Sequence, residues 1–278
     1  MILVTGATGN VGMHLVQMLI EQGAQVRVLL RDERKVADLG DRVERVIGDL
    51  GKPDTLVPAM RGVECLYLVT PDTQQLTNAV EAAKRAGVRH VVKQSTIEAD
   101  RSLGPGKWHR QQEKLIEDSG MQWTFLRPTM MMVNTIEWWA ETTKSQRAVY
   151  FPGGKGRVSP VDEQDVARVA CAVLTQPGHE GQIYQLTGPE VLSISEMVQV
   201  LAQVLGKPIR YVQIPMLLGA LWMLRSGLPL YVVRGLVETF GALRRNEYAY
   251  VSDAVERIGD GPARTFEAWS QSHLTAFQ

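Results

Sequence analysis

The chain has 278 residues, 45% of them hydrophobic, with thirty lysines and arginines against thirty aspartates and glutamates. A zero net charge leaves no long-range field to draw it to nucleic acid or a membrane, and basic clusters with interleaved aromatics are absent. The length suits one large α/β domain or one domain with an appendix, and the longest apolar stretch, residues 214–224, is too short to span a bilayer.

In chain order, Met1-Ile2-Leu3-Val4-Thr5 is the apolar, β-branched run expected of a buried parallel strand. Since the chain opens on that strand, no signal peptide is expected. Cys65 and Cys171, far apart in apolar runs, read as buried thiols of a reducing compartment, so a cytoplasmic protein is expected. Gly6-Ala7-Thr8-Gly9-Asn10-Val11-Gly12 then opens an amphipathic helix with Val11, Leu15, Met18 and Leu19 on one face. Gly23 stops it, and Gln25-Val26-Arg27-Val28-Leu29-Leu30 reads as the second strand. Strand, glycine turn, helix and strand make a right-handed βαβ unit with its phosphate-binding turn in place. The glycines let backbone approach a pyrophosphate, whose charge the helix N-terminus receives. A carboxylate after the second strand would grip the ribose of NAD; Arg31 stands there instead, with Arg34 and Lys35 nearby. A guanidinium suits the 2′-phosphate of NADP(H), although Asp32, one place late, leaves NAD(H) open.

A third strand over residues 43–48 ends in Asp49-Leu50, where a polar side chain would lie in the ligand crevice beside the adenine. A short helix over 53–60 leads to a fourth strand, 63–69, and Thr70-Pro71 makes the turn beside the cofactor. A helix over 72–86, closed by Gly87, precedes the fifth strand, 88–95. Each strand is followed by a helix, so the fold class is α/β, a doubly wound parallel sheet of the Rossmann kind. The fifth strand ends in Gln94-Ser95-Thr96, and a helix over about 108–118 carries His109 and Glu113 one turn apart on one face. Glu113 could orient the imidazole and favour its charged form, making His109 a proton donor near neutral pH. The alternative is a histidine bonded to backbone or water, beside a solvated carboxylate.

Residues 123–126 form a sixth strand, and Arg127-Pro128-Thr129 leads into Met130-Met131-Met132-Val133-Asn134, with Trp138 and Trp139 on the following helix. Methionines suit flat, variable ligands, although plain core packing explains the same stretch. Asp162 caps a helix running to about residue 174, and residues 182–187 return a strand to the main sheet. A nucleotide domain over 1–150, with 157–190 returning to its sheet, and a smaller, mainly helical substrate-binding region over 191–278 are expected. Within the latter, residues 214–243 are apolar and divided at Gly227 and Pro229, either covering the cleft or forming an oligomer contact such as a homodimer's. No cysteine or histidine pair has zinc spacing, so no metal is expected.

The opening Thr-Gly-Ala-Thr-Gly-Asn-Val-Gly, Arg31, Trp123-Thr124-Phe125-Leu126-Arg127-Pro128 and Pro160-Val161-Asp162-Glu163-Gln164-Asp165-Val166-Ala167 resemble the NmrA-like atypical short-chain dehydrogenases, within them the NADPH:quinone oxidoreductase and triphenylmethane reductase group. The resemblance runs to about residue 215. The wider family follows its fifth strand with a serine and Tyr-x-x-x-Lys, tyrosine giving the proton; His109-Arg110-Gln111-Gln112-Glu113 stands here, so the usual donor is missing. The resemblance implies cofactor contacts from Gly6, Thr8, Gly9, Asn10, Val11, Gly12, Arg31, Lys35, Asp49, Leu50, Thr70 and Ser95, and substrate contacts from Met130, Met132, Asn134 and Trp138. It implies an NADPH-dependent reductase of a small electrophilic, aromatic acceptor such as a quinone, with His109 as candidate acid. An NADPH-sensing regulator and a sugar-nucleotide epimerase or dehydratase are the rivals, the last opposed by the missing Tyr-x-x-x-Lys.

Overall fold

The computed structural model describes residues 1–31, 42–101 and 103–278; Asp32, Arg34 and Lys35 lie outside them. The chain opens with β1 (Ile2–Val4), α1 (Asn10–Glu21), β2 (Val26–Leu30) and β3 (Glu44–Ile47). Then come α2 (Leu56–Ala59), β4 (Cys65–Leu68), α3 (Thr73–Ala86), β5 (His90–Gln94), α4 (Gly106–Glu117) and β6 (Gln122–Pro128). The second half runs through α5 (Asn134–Gln146), β7 (Ala148–Phe151), β8 (Arg157–Val158), α6 (Glu163–Thr175) and β9 (Gln182–Leu186). It ends with β10 (Leu192–Ser193), α7 (Ile194–Leu205), β11 (Arg210–Gln213), α8 (Met216–Arg225), α9 (Leu230–Arg244), α10 (Ala254–Gly259) and α11 (Phe266–Ser272).

Seven strands make one sheet in the order β3-β2-β1-β4-β5-β6-β9, every neighbouring pair parallel. The order reverses between β1 and β4, and the carboxyl ends of such a pair open the crevice where α/β sheets bind ligands. Leu3, Val4, Leu66, Leu68, Val91 and Val92 have no solvent exposure. Helices cover both faces, which is why the strands read as continuous apolar runs rather than alternating ones. α1, α6 and α10 pack on one face, and α2, α3 and α4 on the other.

After β6 the chain turns away. β7 pairs in parallel with β11, and β8 antiparallel with β10, both apart from the main sheet. A further core forms there around Trp139, Phe151, Phe240, Phe266 and Trp269. Local chemistry sets the helix starts. Ser193 and Glu196 form a reciprocal cap, Ser193 N–H donating to Glu196 Oε2 at 2.7 Å and Glu196 N–H to Ser193 Oγ at 3.2 Å. That cap starts α7 at Ile194. Asp162 caps α6 by accepting from Gln164 N–H at 2.8 Å, and Arg264 bonds its other oxygen at 2.8 Å, tying the C-terminal segment to this helix.

Candidate active site

The crevice starts at the turn between β1 and α1. Gly6 has φ +64°, and a Cβ there would meet Val69 Cγ1 at 2.5 Å. A Cβ on Gly12 would lie 2.1 Å from the Gly6 carbonyl oxygen, so α1 sits against the turn as only glycine allows. The clash is with the turn itself. No side chain caps α1 and no acid stands in its first turn, which leaves its first N–H groups and dipole for an anion. A cradle that a methyl group would fill, at an uncapped helix start, fits a pyrophosphate.

The crevice holds about 260 Å³ and is lined by Gly6, Thr8, Arg31, Asp49, Leu50 and Thr70 among others. Arg31 stands exposed at the end of β2. Asp49 is held by accepting from Gly51 N–H at 2.9 Å, and Thr70 Oγ1 accepts from Asp72 N–H at 3.2 Å. Gly9 and Asn10 lie exposed at the start of α1, whereas the Val11 side chain points into the core, leaving its backbone for the ligand side. Lys35 is outside the described residues. Ser95 lines the neighbouring cavity instead of this crevice.

That cavity, about 350 Å³, meets the crevice at Val69, Thr70 and Pro71. Met130, Met131, Asn134, Trp138 and Phe151 line it, with Leu236, Phe240 and Leu243 of α9. Trp138 stacks on Phe151 with ring centres 5.4 Å apart. Met132 is not on this wall: it is fully buried in the C-terminal core, and Met131 takes the place expected of it. Trp139, next to Trp138 in the chain, is also fully buried, edge-on to Phe151 and Phe266. Adjacent helical residues point about 100° apart, so one tryptophan faces the cavity and its neighbour the core.

His109 lines the cavity, but Glu113 does not orient it. Glu113 is fully buried and takes Arg127 in a fork, Nε to Oε1 at 3.0 Å and Nη2 to Oε2 at 2.7 Å, while Ser95 Oγ donates to Oε1 at 2.6 Å. A bidentate guanidinium outcompetes an imidazole one turn away. The partner of His109 is Lys93 of β5, whose Nζ lies 2.9 Å from Nδ1 and also donates to the Gln94 carbonyl at 3.0 Å. Lys93 has no exposure; burial pulls its ammonium down to about 7, Glu113 opposing the shift and Arg127 adding to it. Burial, then the Lys93 charge, lowers His109 to about 3. The imidazole is therefore neutral near pH 7, not the charged donor the sequence suggested. Nδ1 accepts from the ammonium, so the ring hydrogen sits on Nε2, which bonds no group among the described residues.

Two further polar groups on this wall were not singled out in the sequence. Glu98 is buried, and burial raises its carboxyl pKa. The buried Tyr248 hydroxyl has no hydrogen-bond partner among the described residues. Neither belongs to a motif, whereas Lys93 left a signal: a lysine in the middle of a strand that must be buried.

A family described as NAD(P)H-binding matches residues 6–177. The chain is 37% identical to an NAD(P)H azoreductase of Xenophilus azovorans, with 100% of this chain and 99% of that one aligned. It is equally 37% identical, with the same coverage, to a (4-alkanoyl-5-oxo-2,5-dihydrofuran-3-yl)methyl phosphate reductase of Streptomyces griseus. Its fold superposes on the NADPH-dependent quinone oxidoreductase of Escherichia coli, solved in complex with NADPH, with a TM-score of 0.89 and 26% identity over 99% of this chain and 100% of that one.

Proposed function

This chain belongs to the NAD(P)H-binding, NmrA-like family of atypical short-chain dehydrogenase/reductases and is an NAD(P)H-dependent oxidoreductase, and from that premise we propose its acceptor class and its proton route. The acceptor is a flat, conjugated electrophile of the quinone or azo class, and the preferred nucleotide is NADPH. When bound, the nucleotide supplies one hydride, so each turnover leaves the acceptor short of one proton. Arg31 would hold the 2′-phosphate, and Gly6, Thr8, Gly9 and the first N–H groups of α1 the pyrophosphate.

The reading rests on Lys93, buried behind His109 at the wall of an apolar cavity that joins the crevice. As Nε2–H of His109 gives its proton to the anionic heteroatom of the reduced acceptor, Lys93 passes one to Nδ1. Lys93 ends neutral, His109 ends neutral with its hydrogen on Nδ1, and the product has gained one proton. A lysine drawn down to about 7 gives up that proton readily near neutral pH. Met130, Met131, Trp138 and Phe151 offer soft, flat contact to a planar ring. The relatives' names give an azo group, an oxo-dihydrofuran and a quinone as acceptors, unsaturated groups that take a hydride at one atom and a proton at another.

The test follows NADPH absorbance against quinones, azo dyes and a cationic triphenylmethane dye, for the parent and His109→Phe. Loss of a general acid costs about 10²–10⁴-fold, and that is expected for quinones and azo dyes. The cationic dye should lose little, because hydride itself cancels its charge. Equal losses for all three would reduce His109 to shaping the cavity. Retained NADPH binding with no turnover of any acceptor would favour a nucleotide sensor.

A further inference from the structure

The zero net charge hides an uneven distribution. Residues 197–237 contain no aspartate or glutamate, yet hold Lys207, Arg210, Arg225 and Arg234, all exposed. The same stretch carries the largest apolar exposure of the described residues. Leu217, Leu218, Leu221 and Trp222 line the outer face of α8, with Leu217 at 71% and Trp222 at 65% exposure. Leu230 and Tyr231 continue the patch onto α9, Tyr231 at 63%. Their spacing at i, i+1, i+4 and i+5 is one stripe of a helix, and Gly219 and Met223 on the other side are buried. A stripe this apolar, left to water, marks a contact surface.

Charge decides between occupants. A second copy meeting this face about a two-fold axis would bring the cations of two such patches together, with no carboxylate in 197–237 to answer them and Glu238 already held by Lys107 at 2.9 Å. Anionic headgroups answer them directly, while the acyl boundary takes the leucines. Trp222 and Tyr231 are the aromatics that favour the headgroup level. No helix of the described residues is long and apolar enough to cross a bilayer, and helices of 10 and 15 residues suit lying on one.

We infer that the outer face of α8 and the start of α9 dock this enzyme on an anionic lipid surface. The surface adjoins the acceptor cavity. α9 lines that cavity through Leu236, Phe240 and Leu243, and Trp108, next in the chain to His109, packs edge-on against Tyr231 at 5.4 Å. A lipid-soluble acceptor would thus enter from the bilayer, a consequence that rests on the proposed acceptor class, whereas the docking does not.

The experiment is flotation of the full chain with vesicles of phosphatidylcholine alone and of equal phosphatidylcholine and phosphatidylglycerol. Binding to the mixed vesicles, weakened by salt and by omission of phosphatidylglycerol, is expected. Leu218→Ser/Trp222→Ser should lower the partition coefficient by at least about tenfold, and Arg225→Glu/Arg234→Glu should remove the preference for phosphatidylglycerol. Both variants should keep the parent's melting temperature and its turnover of a water-soluble quinone. Absence of flotation with either vesicle would overturn the docking. So would a dimer in sedimentation velocity that Leu218→Ser/Trp222→Ser dissociates, which would make a second copy the occupant. A long-tailed quinone in the mixed vesicles should be reduced faster by the parent than by that variant. Flotation without turnover of either quinone would leave the docking standing and remove the acceptor class.

Discussion

A lysine wholly inside a protein is uncommon, because burial penalises its cation. Lys93 is such a residue, and its nearest partner is a neutral imidazole that accepts but does not neutralise. The cavity therefore has a proton source whose charge is lost near pH 7. Turnover of quinones and azo dyes should fall as pH rises through about 7, and Lys93→Met should remove that limb while lowering the plateau. Steady-state rates of both proteins from pH 6 to 9 check it; an unchanged limb in the variant would assign the titration elsewhere. Arg31, at the end of β2, faces the other question, the choice of nucleotide. Arg31→Ala should weaken NADPH by roughly 1.5–3 kcal/mol, the scale of a hydrogen bond to a charged group, and leave NADH nearly untouched. Titrations of both nucleotides decide it, equal losses showing that Arg31 does not meet the 2′-phosphate.

At the scale of elements, α1 and α4 carry the site in different ways. α1 is positioned by absence: Gly12 lets it approach until a Cβ would stand 2.1 Å from Gly6 O and 3.0 Å from Ala7 Cα. Both neighbours are backbone, so the helix start must move to admit a methyl group. Gly12→Ala should abolish NADPH binding in fluorescence titration and lower the melting temperature; a parent-like titration would sink the assignment of this turn. α4 is positioned by charge. Glu113 locks it to Arg127 of β6 and Ser95 beyond β5, and Arg127 reaches on to Asp100 at 2.9 Å. That clamp holds the helix so that His109, one turn earlier, meets Lys93 of β5. Glu113 thus serves His109 by placing its helix, not by touching its ring.

For the whole molecule, a buried lysine has a cost that depends on pH. Its ordinary value of 10.5 falls to about 7 on folding, so between those values the unfolded chain holds a proton that the folded chain has released. Stability must then rise with pH across that window, and the penalty is greatest below about pH 7, where the cation stays buried. Chemical denaturation of the parent and Lys93→Met from pH 6.5 to 10 should show the slope in the parent and a smaller one in the variant. The C-terminal region answers to other forces: an aromatic core around Trp139, Phe266 and Trp269, and the Arg264 link to Asp162, hold it against α6 and over the cavity.

The nucleotide-binding half was legible because its signals are local. A strand, a glycine turn and a helix lie within residues 1–21, and the parallel order follows from alternating elements with little further choice. Asp162 announced its helix for the same reason, since a cap reaches only two or three residues. The acid–base pair was not legible. Lys93 and His109 are sixteen residues apart on different elements. Glu113, which spacing joined to His109, is drawn away by Arg127, fourteen residues further on. Nor did spacing separate Trp138 from Trp139, or say that Leu236 and Phe240 close the cavity begun by Met130. By itself the sequence determined the backbone elements and the phosphate turn, because hydrogen bonding and periodicity act over one or two turns of chain. Only the tertiary structure decided which polar side chain meets which, because that depends on competition among groups that packing brings together from distant parts of the chain.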